Sequence, residues 1–147
     1  MIKPPLVLDG ELPEQLRPAF RYRCYVTRVI DGDTVVIDWD LGDGLWSLGR
    51  RVRLLGINAR ETHGPLAEQG HSDKAYLERL IMDFYLSRRA SDGAFELTIR
   101  TRLNKSDEFN RLLGQLWGIV RATNEPVNLN EKMIDDGHAV PFMEGER

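Results

Sequence analysis

Tyr22-Arg23-Cys24-Tyr25-Val26-Thr27-Arg28-Val29-Ile30-Asp31-Gly32-Asp33-Thr34-Val35-Val36-Ile37-Asp38-Trp39 sets the architecture of this chain. Its first half, Tyr22 to Ile30, is rich in β-branched and aromatic side chains and reads as a strand. Asp31-Gly32-Asp33 breaks that strand with turn chemistry, since Asp-Gly is a strong turn dipeptide. Val35, Ile37 and Trp39 then alternate with polar or smaller neighbours, which gives a second strand with one apolar face.

Downstream, Leu41 to Trp46 reads as a Gly/Asp loop. Val52, Leu54 and Gly56 alternate with Arg53, Leu55 and Ile57 as a third strand. Three strands joined by short turns suggest an antiparallel meander. Gly64-Pro65 ends that unit, and Ser72 or Asp73 is the expected cap of a helix. Leu77, Leu80, Ile81 and Phe84 fall at i, i+3, i+4 and i+7, the apolar stripe of that helix. After the turn Ser91-Asp92-Gly93, Phe95, Leu97 and Ile99 alternate with Glu96, Thr98 and Arg100 as a fourth strand. Lys105 to Asn110 is a polar loop and Leu112 to Val120 a fifth strand. A short helix is expected at 130–136, stopped by Gly137. Five short strands with a helix after the third is the order of an OB-type fold. The expectation is α+β: a five-stranded OB-type antiparallel β-barrel with two α-helices. Residues 1–20 hold four of the seven prolines and read as an extended arm, leaving 21–147 as the domain.

The bulk numbers narrow the function classes. A chain of 147 residues with 41% hydrophobic residues is the size of one ordinary domain with a real core. No apolar run is long enough to span a membrane. The N-terminus shows no apolar segment of signal-peptide length, and the single Cys24 cannot form an internal disulfide. Both point to a reducing cytoplasm, in the cell of origin or, for a phage-encoded chain, in a host. The thiol between Tyr22 and Val26 reads as buried and inert. The formal net charge of −3 weakens a simple basic nucleic-acid-binding reading, so a nucleic-acid enzyme of this charge must concentrate its cations locally. Arg50, Arg51 and Arg53 cluster in sequence, as do Arg88 with Arg89 and Arg100 with Arg102.

Three segments carry candidate chemistry, though each alone has a plain reading as turn, strand rim or charged loop. Asp33, at the start of the second strand, offers a carboxylate to a hard cation. Arg53 lies in an otherwise apolar strand whose end gathers Asn58 and Glu61. Asp107-Glu108-Phe109-Asn110-Arg111 precedes the fifth strand. Together they supply what phosphodiester hydrolysis demands. Oxygen donors hold a divalent cation that polarises the phosphate. A further carboxylate takes a proton from the attacking water. Two guanidiniums grip the phosphate through paired hydrogen bonds, a task suited to arginine's planar fork.

The same segments resemble the staphylococcal-nuclease-like (thermonuclease) family, over roughly residues 22–139. Ile30-Asp31-Gly32-Asp33-Thr34 is similar to the family's first metal-binding segment. Arg53 to Thr62 is similar to its R-L-x-G-I-D-x-P-E-T strand and loop, and Asp107 to Leu113 resembles D-x-Y-G-R-x-L. Gly70 before Lys74-Ala75 fits the start of its first long helix. Val127-Asn128-Leu129-Asn130 through Gly137-His138-Ala139 fits V-N-x-x-L-V-x-x-G-x-A. The resemblance implies Asp33 as a direct calcium ligand, Asn58 as the second ligand and Ala59 as a backbone-carbonyl ligand. It implies Glu61 as the general base, reaching the metal through water, with Arg53 and Arg111 as phosphate clamps. Asp31 and Thr34 match supporting positions behind the ligands.

The departures are specific. Asn58 stands where the family has Asp, which removes a negative charge and implies weaker metal affinity. Arg60 replaces the usual Pro, an extra cation that could touch substrate or solvate the loop. Phe109 replaces Tyr, keeping a stacking face without the hydroxyl, and Asn110 replaces Gly. The family's third, C-terminal helix is expected to be absent. The implied function is a calcium-dependent nuclease cutting DNA, with RNA as a second substrate and magnesium or manganese as alternative ions. The competing reading is a nuclease-like module that binds nucleic acid or a protein partner without turnover. Other motifs fall away. Asp38 to Gly44 resembles an EF-hand start but has Gly42 at the fifth position and Gly49 at the twelfth. His63, His71 and His138 lack zinc spacing. His63 reads as a surface loop residue, and Trp39, Trp46 and Trp117 as packing residues.

Overall fold

Apolar–polar alternation over residues 21–54 produces three long strands: β1 (Arg21–Asp31), β2 (Thr34–Gly42) and β3 (Leu45–Leu54). The computed structural model describes residues 12–103 and 112–143. The three strands pair antiparallel in sequence order, as the meander requires. The expected loop at Leu41–Trp46 shrinks to a two-residue turn. Asp43 and Gly44 both have left-handed φ, 54° and 80°, the conformation that lets a two-residue hairpin follow the twist of its strands. The third strand stops earlier than expected. Gly56, with φ of 81°, turns the chain into the short β4 (Ile57–Asn58).

Helix α1 (Ala67–Phe84) follows. Neither Ser72 nor Asp73 caps it. The helix starts at Ala67 behind Leu66, with no side-chain cap, and Asp73 is a buried residue of its interior. The early start is packed against the preceding loop. A Cβ on Gly70 would stand 1.8 Å from the Glu61 carbonyl oxygen. The apolar stripe Leu77, Leu80 and Ile81 faces the core as the spacing predicts.

The second half adds β5 (Ser87–Arg88), β6 (Phe95–Leu103), β7 (Leu112–Val120), β8 (Glu125–Asn128), α2 (Leu129–Asp135) and β9 (Val140–Pro141). Asn128 caps α2 by accepting a hydrogen bond from the Glu131 N–H at 3.2 Å. The chain is therefore α+β, with a seven-stranded sheet of order β5-β6-β1-β2-β3-β7-β8 and a separate β4-β9 pair. An additional ladder joins β6 to β7. The expectation of an all-antiparallel sheet needs one correction: β3 and β7 pair in parallel, with Arg53 opposite Leu113. The crossing through α1 and β6 brings β7 back in the direction of β3. Among the described residues no helix is long and apolar enough to cross a membrane.

Val35, Ile37, Val52, Leu54, Leu97 and Leu116 form the centre of the core. Cys24 is wholly buried, and burial pushes its thiol up to about 12, which leaves it unreactive near neutrality.

Candidate active site

The β1–β2 turn, the end of β3 and the loop after β4 meet at one place. Gly32 makes the meeting close: a Cβ there would lie 2.8 Å from the Ala59 Cβ and 2.9 Å from the Asp73 Cβ. The turn thus backs directly onto the loop and onto α1, and it delivers Asp33 to the loop.

Asp33 is buried and takes three partners. Its Oδ2 is 2.6 Å from Arg53 Nη1 and accepts the Ala59 N–H at 2.8 Å, while Oδ1 accepts the Thr34 hydroxyl at 3.0 Å. Arg53, 5% exposed, also donates through Nη2 to Asn58 Oδ1 at 3.0 Å. Its guanidinium lies 5.7 Å from the centre of the Phe142 ring. Four of the residues implied by the sequence, Asp33, Arg53, Asn58 and Ala59, are therefore linked in one network through Asp33 and Arg53. Asp31 accepts the Thr62 hydroxyl at 3.0 Å and so ties the far end of the loop to the same turn. Arg111, with Phe109 and Asn110, lies outside the described residues.

Glu61 stands apart from this cluster. Its side chain is 71% exposed and, among the described residues, pairs with His63, Oε2 to Nε2 at 3.3 Å. Both line a cleft of about 570 Å³ together with Asn58, Ala59, Asp73 and His138. Asp33 and Arg53 join this cleft through Asn58 and Ala59 rather than lining it.

Arg60 does not present its head group to the cleft as a free cation. It grips Asp73 with Nε at 2.8 Å and Nη2 at 2.6 Å, and its backbone N–H donates to the same carboxylate at 3.1 Å. His138 Nδ1 adds a contact at 3.0 Å. The His138 ring stacks on Tyr76 at 4.2 Å between centres, and the Tyr76 hydroxyl bonds Asp136. Burial works to raise the Asp73 pKa, but hydrogen bonds from Arg60 and His138 and the Arg60 charge win and hold it below the usual carboxylate value.

Sequence reasoning missed this second cluster. A signal for it existed: Asp73 stands at i with Leu77, Leu80 and Ile81 at i+4, i+7 and i+8, an acid on the buried stripe of a helix, where charges occur only with partners.

Neither the scan against protein-family models nor the search of curated proteins found a match to this chain.

The donor set can be tested for a hard divalent cation. Asp33 and Asn58 turn oxygens toward one positive centre, the Arg53 guanidinium, which is the arrangement such a cation also needs. A carboxylate has about four acceptor sites, and three of those on Asp33 are taken. The donors are oxygens, the kind a hard cation takes, but among the described residues no three His, Cys, Asp or Glu side chains gather to hold one. The charge is thin, because a single carboxylate faces a guanidinium and the second donor is a neutral amide.

Proposed function

We propose that this chain is a metal-assisted phosphodiesterase acting on nucleic acid, built on an OB-type barrel. The observation that carries the proposal is the convergence of Asp33, Arg53, Asn58 and Ala59, drawn from separate segments, beside a cleft lined by Glu61. The barrel reading rests on the ladders β1–β2–β3–β7–β6–β1, which return to their starting strand.

In this reading Asp33, Asn58 Oδ1 and the Ala59 carbonyl would hold the cation, calcium in first place and magnesium or manganese as alternatives. When bound, it would neutralise and polarise the phosphate. Glu61 is exposed and reachable by water, and it takes the proton from the attacking water. His63 beside it orients the carboxylate. Arg53 holds a phosphate oxygen with donors not spent on Asp33 and Asn58, and Arg111 is assigned the second clamp. The substrate is DNA, with RNA accepted by the same phosphate chemistry.

The deciding experiment incubates plasmid and single-stranded DNA with the purified chain in calcium, magnesium, manganese or chelator. Cation-dependent cutting that disappears in Glu61→Gln supports the assignment. Equal cutting by that variant removes Glu61 from the role of base.

One observation favours a second reading, a strand-binding module without turnover. Arg53 satisfies both Asp33 and Asn58, so the cluster is self-contained as it stands. If the natural chain cuts nothing while Asn58→Asp cuts, this second reading replaces the first.

A further inference from the structure

Arg21 on β1 and Arg100 on β6 are directly opposite each other in the antiparallel ladder. Like charges directly across a ladder repel, and such pairs destabilise a sheet unless something neutralises them. Both side chains are exposed, and neither has an acidic partner among the described residues. Glu96, an acid on the same face of β6, is already engaged by Arg23 at 3.3 Å and Ser87 at 2.6 Å.

The two arginines border a pocket of about 420 Å³ whose other walls include Thr98, Trp117 and Pro126. This volume lies in the range of small-molecule sites. Trp117 is opposite Thr98 in the β6–β7 ladder and half-buried, so its indole forms a fixed wall. A planar aromatic wall beside a pair of unneutralised guanidiniums is the chemistry that takes a nucleobase with its phosphate.

The sheet joins this pocket to the candidate active site. Val52 and Leu54 point into the core, so Arg53 between them faces the other side. Arg53 is opposite Leu113, and Leu113 is opposite Arg102. Arg53 and Arg102 thus lie in one row, two strand spacings or roughly 10 Å apart across the sheet. Arg102 is exposed and has no acidic partner among the described residues, and Arg100 follows on the same face.

We infer that this outer face of β1, β6 and β7 is a binding track for single-stranded nucleic acid, running from Arg102 to the Arg21–Arg100 pair, with a base seated against Trp117; Arg53, buried and engaged by Asp33 and Asn58, lies behind its near end. The inference rests on the nucleic-acid reading above but not on turnover. A duplex does not fit, because its bases are stacked away from the pocket. The track supplies the local positive charge that the acidic chain as a whole lacks.

The test is fluorescence anisotropy of a labelled oligothymidylate of about ten nucleotides, within the span that an OB-type domain covers. It is run in chelator so that cutting plays no part. Wild type should bind with a steep salt dependence. Arg21→Ala/Arg100→Ala should lower the magnitude of the log–log salt slope by about 1.4, two lost contacts at roughly 0.7 each. Both side chains are exposed and repel each other, so the double variant should melt at or slightly above the wild-type temperature. Trp117→Leu should weaken binding roughly 5- to 150-fold, the loss of one stacked base. An unchanged slope and affinity in the double variant overturns the track. So does a wild type that binds no oligomer, or one that binds thymidine monophosphate as tightly as the oligomer. If arginine-dependent binding is seen and the chain cuts nothing with any divalent cation, the hydrolase reading falls and the track stands.

Discussion

Asp33 and Asp73 are both buried acids held by an arginine from the stretch 53–60, and they differ in what is left over. Asp73 receives four contacts, three from Arg60 and one from His138, and its side chain is fully buried. A carboxylate has about four acceptor sites, so this one is saturated by protein. Asp33 receives three and keeps capacity on Oδ1. The first acid is an anchor, and the second still has room for a ligand. Arg53 and Arg60 follow the same division. Arg60 pins the loop to α1, whereas Arg53 bridges two groups that a cation would also attract.

The largest expected effect comes from Glu61, which touches neither buried acid. Glu61→Gln should lower turnover about 10²- to 10⁴-fold, the usual contribution of a general base, while the melting temperature stays unchanged because the side chain is exposed. Single-turnover cleavage beside thermal unfolding reads both.

Next is Asp73→Ala, which leaves Arg60 and His138 without their carboxylate. Breaking a buried pair on one side costs about 3–5 kcal/mol, so the midpoint of urea unfolding should fall sharply. Asp33→Asn also leaves a buried arginine without its carboxylate and should cost a comparable ~3–5 kcal/mol, but it alone should abolish metal-dependent cutting. If the two variants lose equal activity, the distinction between anchor and ligand is wrong.

A smaller effect sharpens the ligand side. Asn58→Asp should tighten calcium binding on the order of tenfold, since ligand charge tunes oxygen sites. Isothermal titration with calcium alone measures it without substrate.

The smallest effect concerns pH. The folded-state pKa of Asp73 lies below its ordinary 3.8. The unfolded chain therefore takes up the proton first as pH falls. The stability that Asp73 contributes is full above about pH 4 and is lost as pH drops through the lowered folded value. Wild type should lose stability more steeply in that acid window than Asp73→Asn does.

Much of this was legible in the sequence because it is local or periodic. The alternation from Val35 to Trp39 and from Phe95 to Ile99 gives strands whatever surrounds them, and the structure has them. Asp33, Arg53, Asn58 and Ala59 could be singled out in the sequence by their resemblance to motifs of a known family, and the structure links them through hydrogen bonds and an ion pair. What escaped is non-local or too short to have a period. β4, β5 and β9 have two residues each, so no alternation can announce them. The start of α1 is decided by the fit of Gly70 under the Glu61 carbonyl, a contact no local cap signals. The grip of Arg60 on Asp73 depends on the loop folding back onto the helix, so Arg60 could be read only as a loop cation.

The glycine at position 70 has a further consequence. With a Cβ excluded so near the Glu61 carbonyl, the helix acts as a gauge that sets how far the loop sits from the sheet. The height of the Glu61 carboxylate over the cleft is then a property of a helix backbone, not of a free loop. A single methyl group, Gly70→Ala, would raise that floor, so the reach of the Glu61 carboxylate can be altered from a position on the helix behind it.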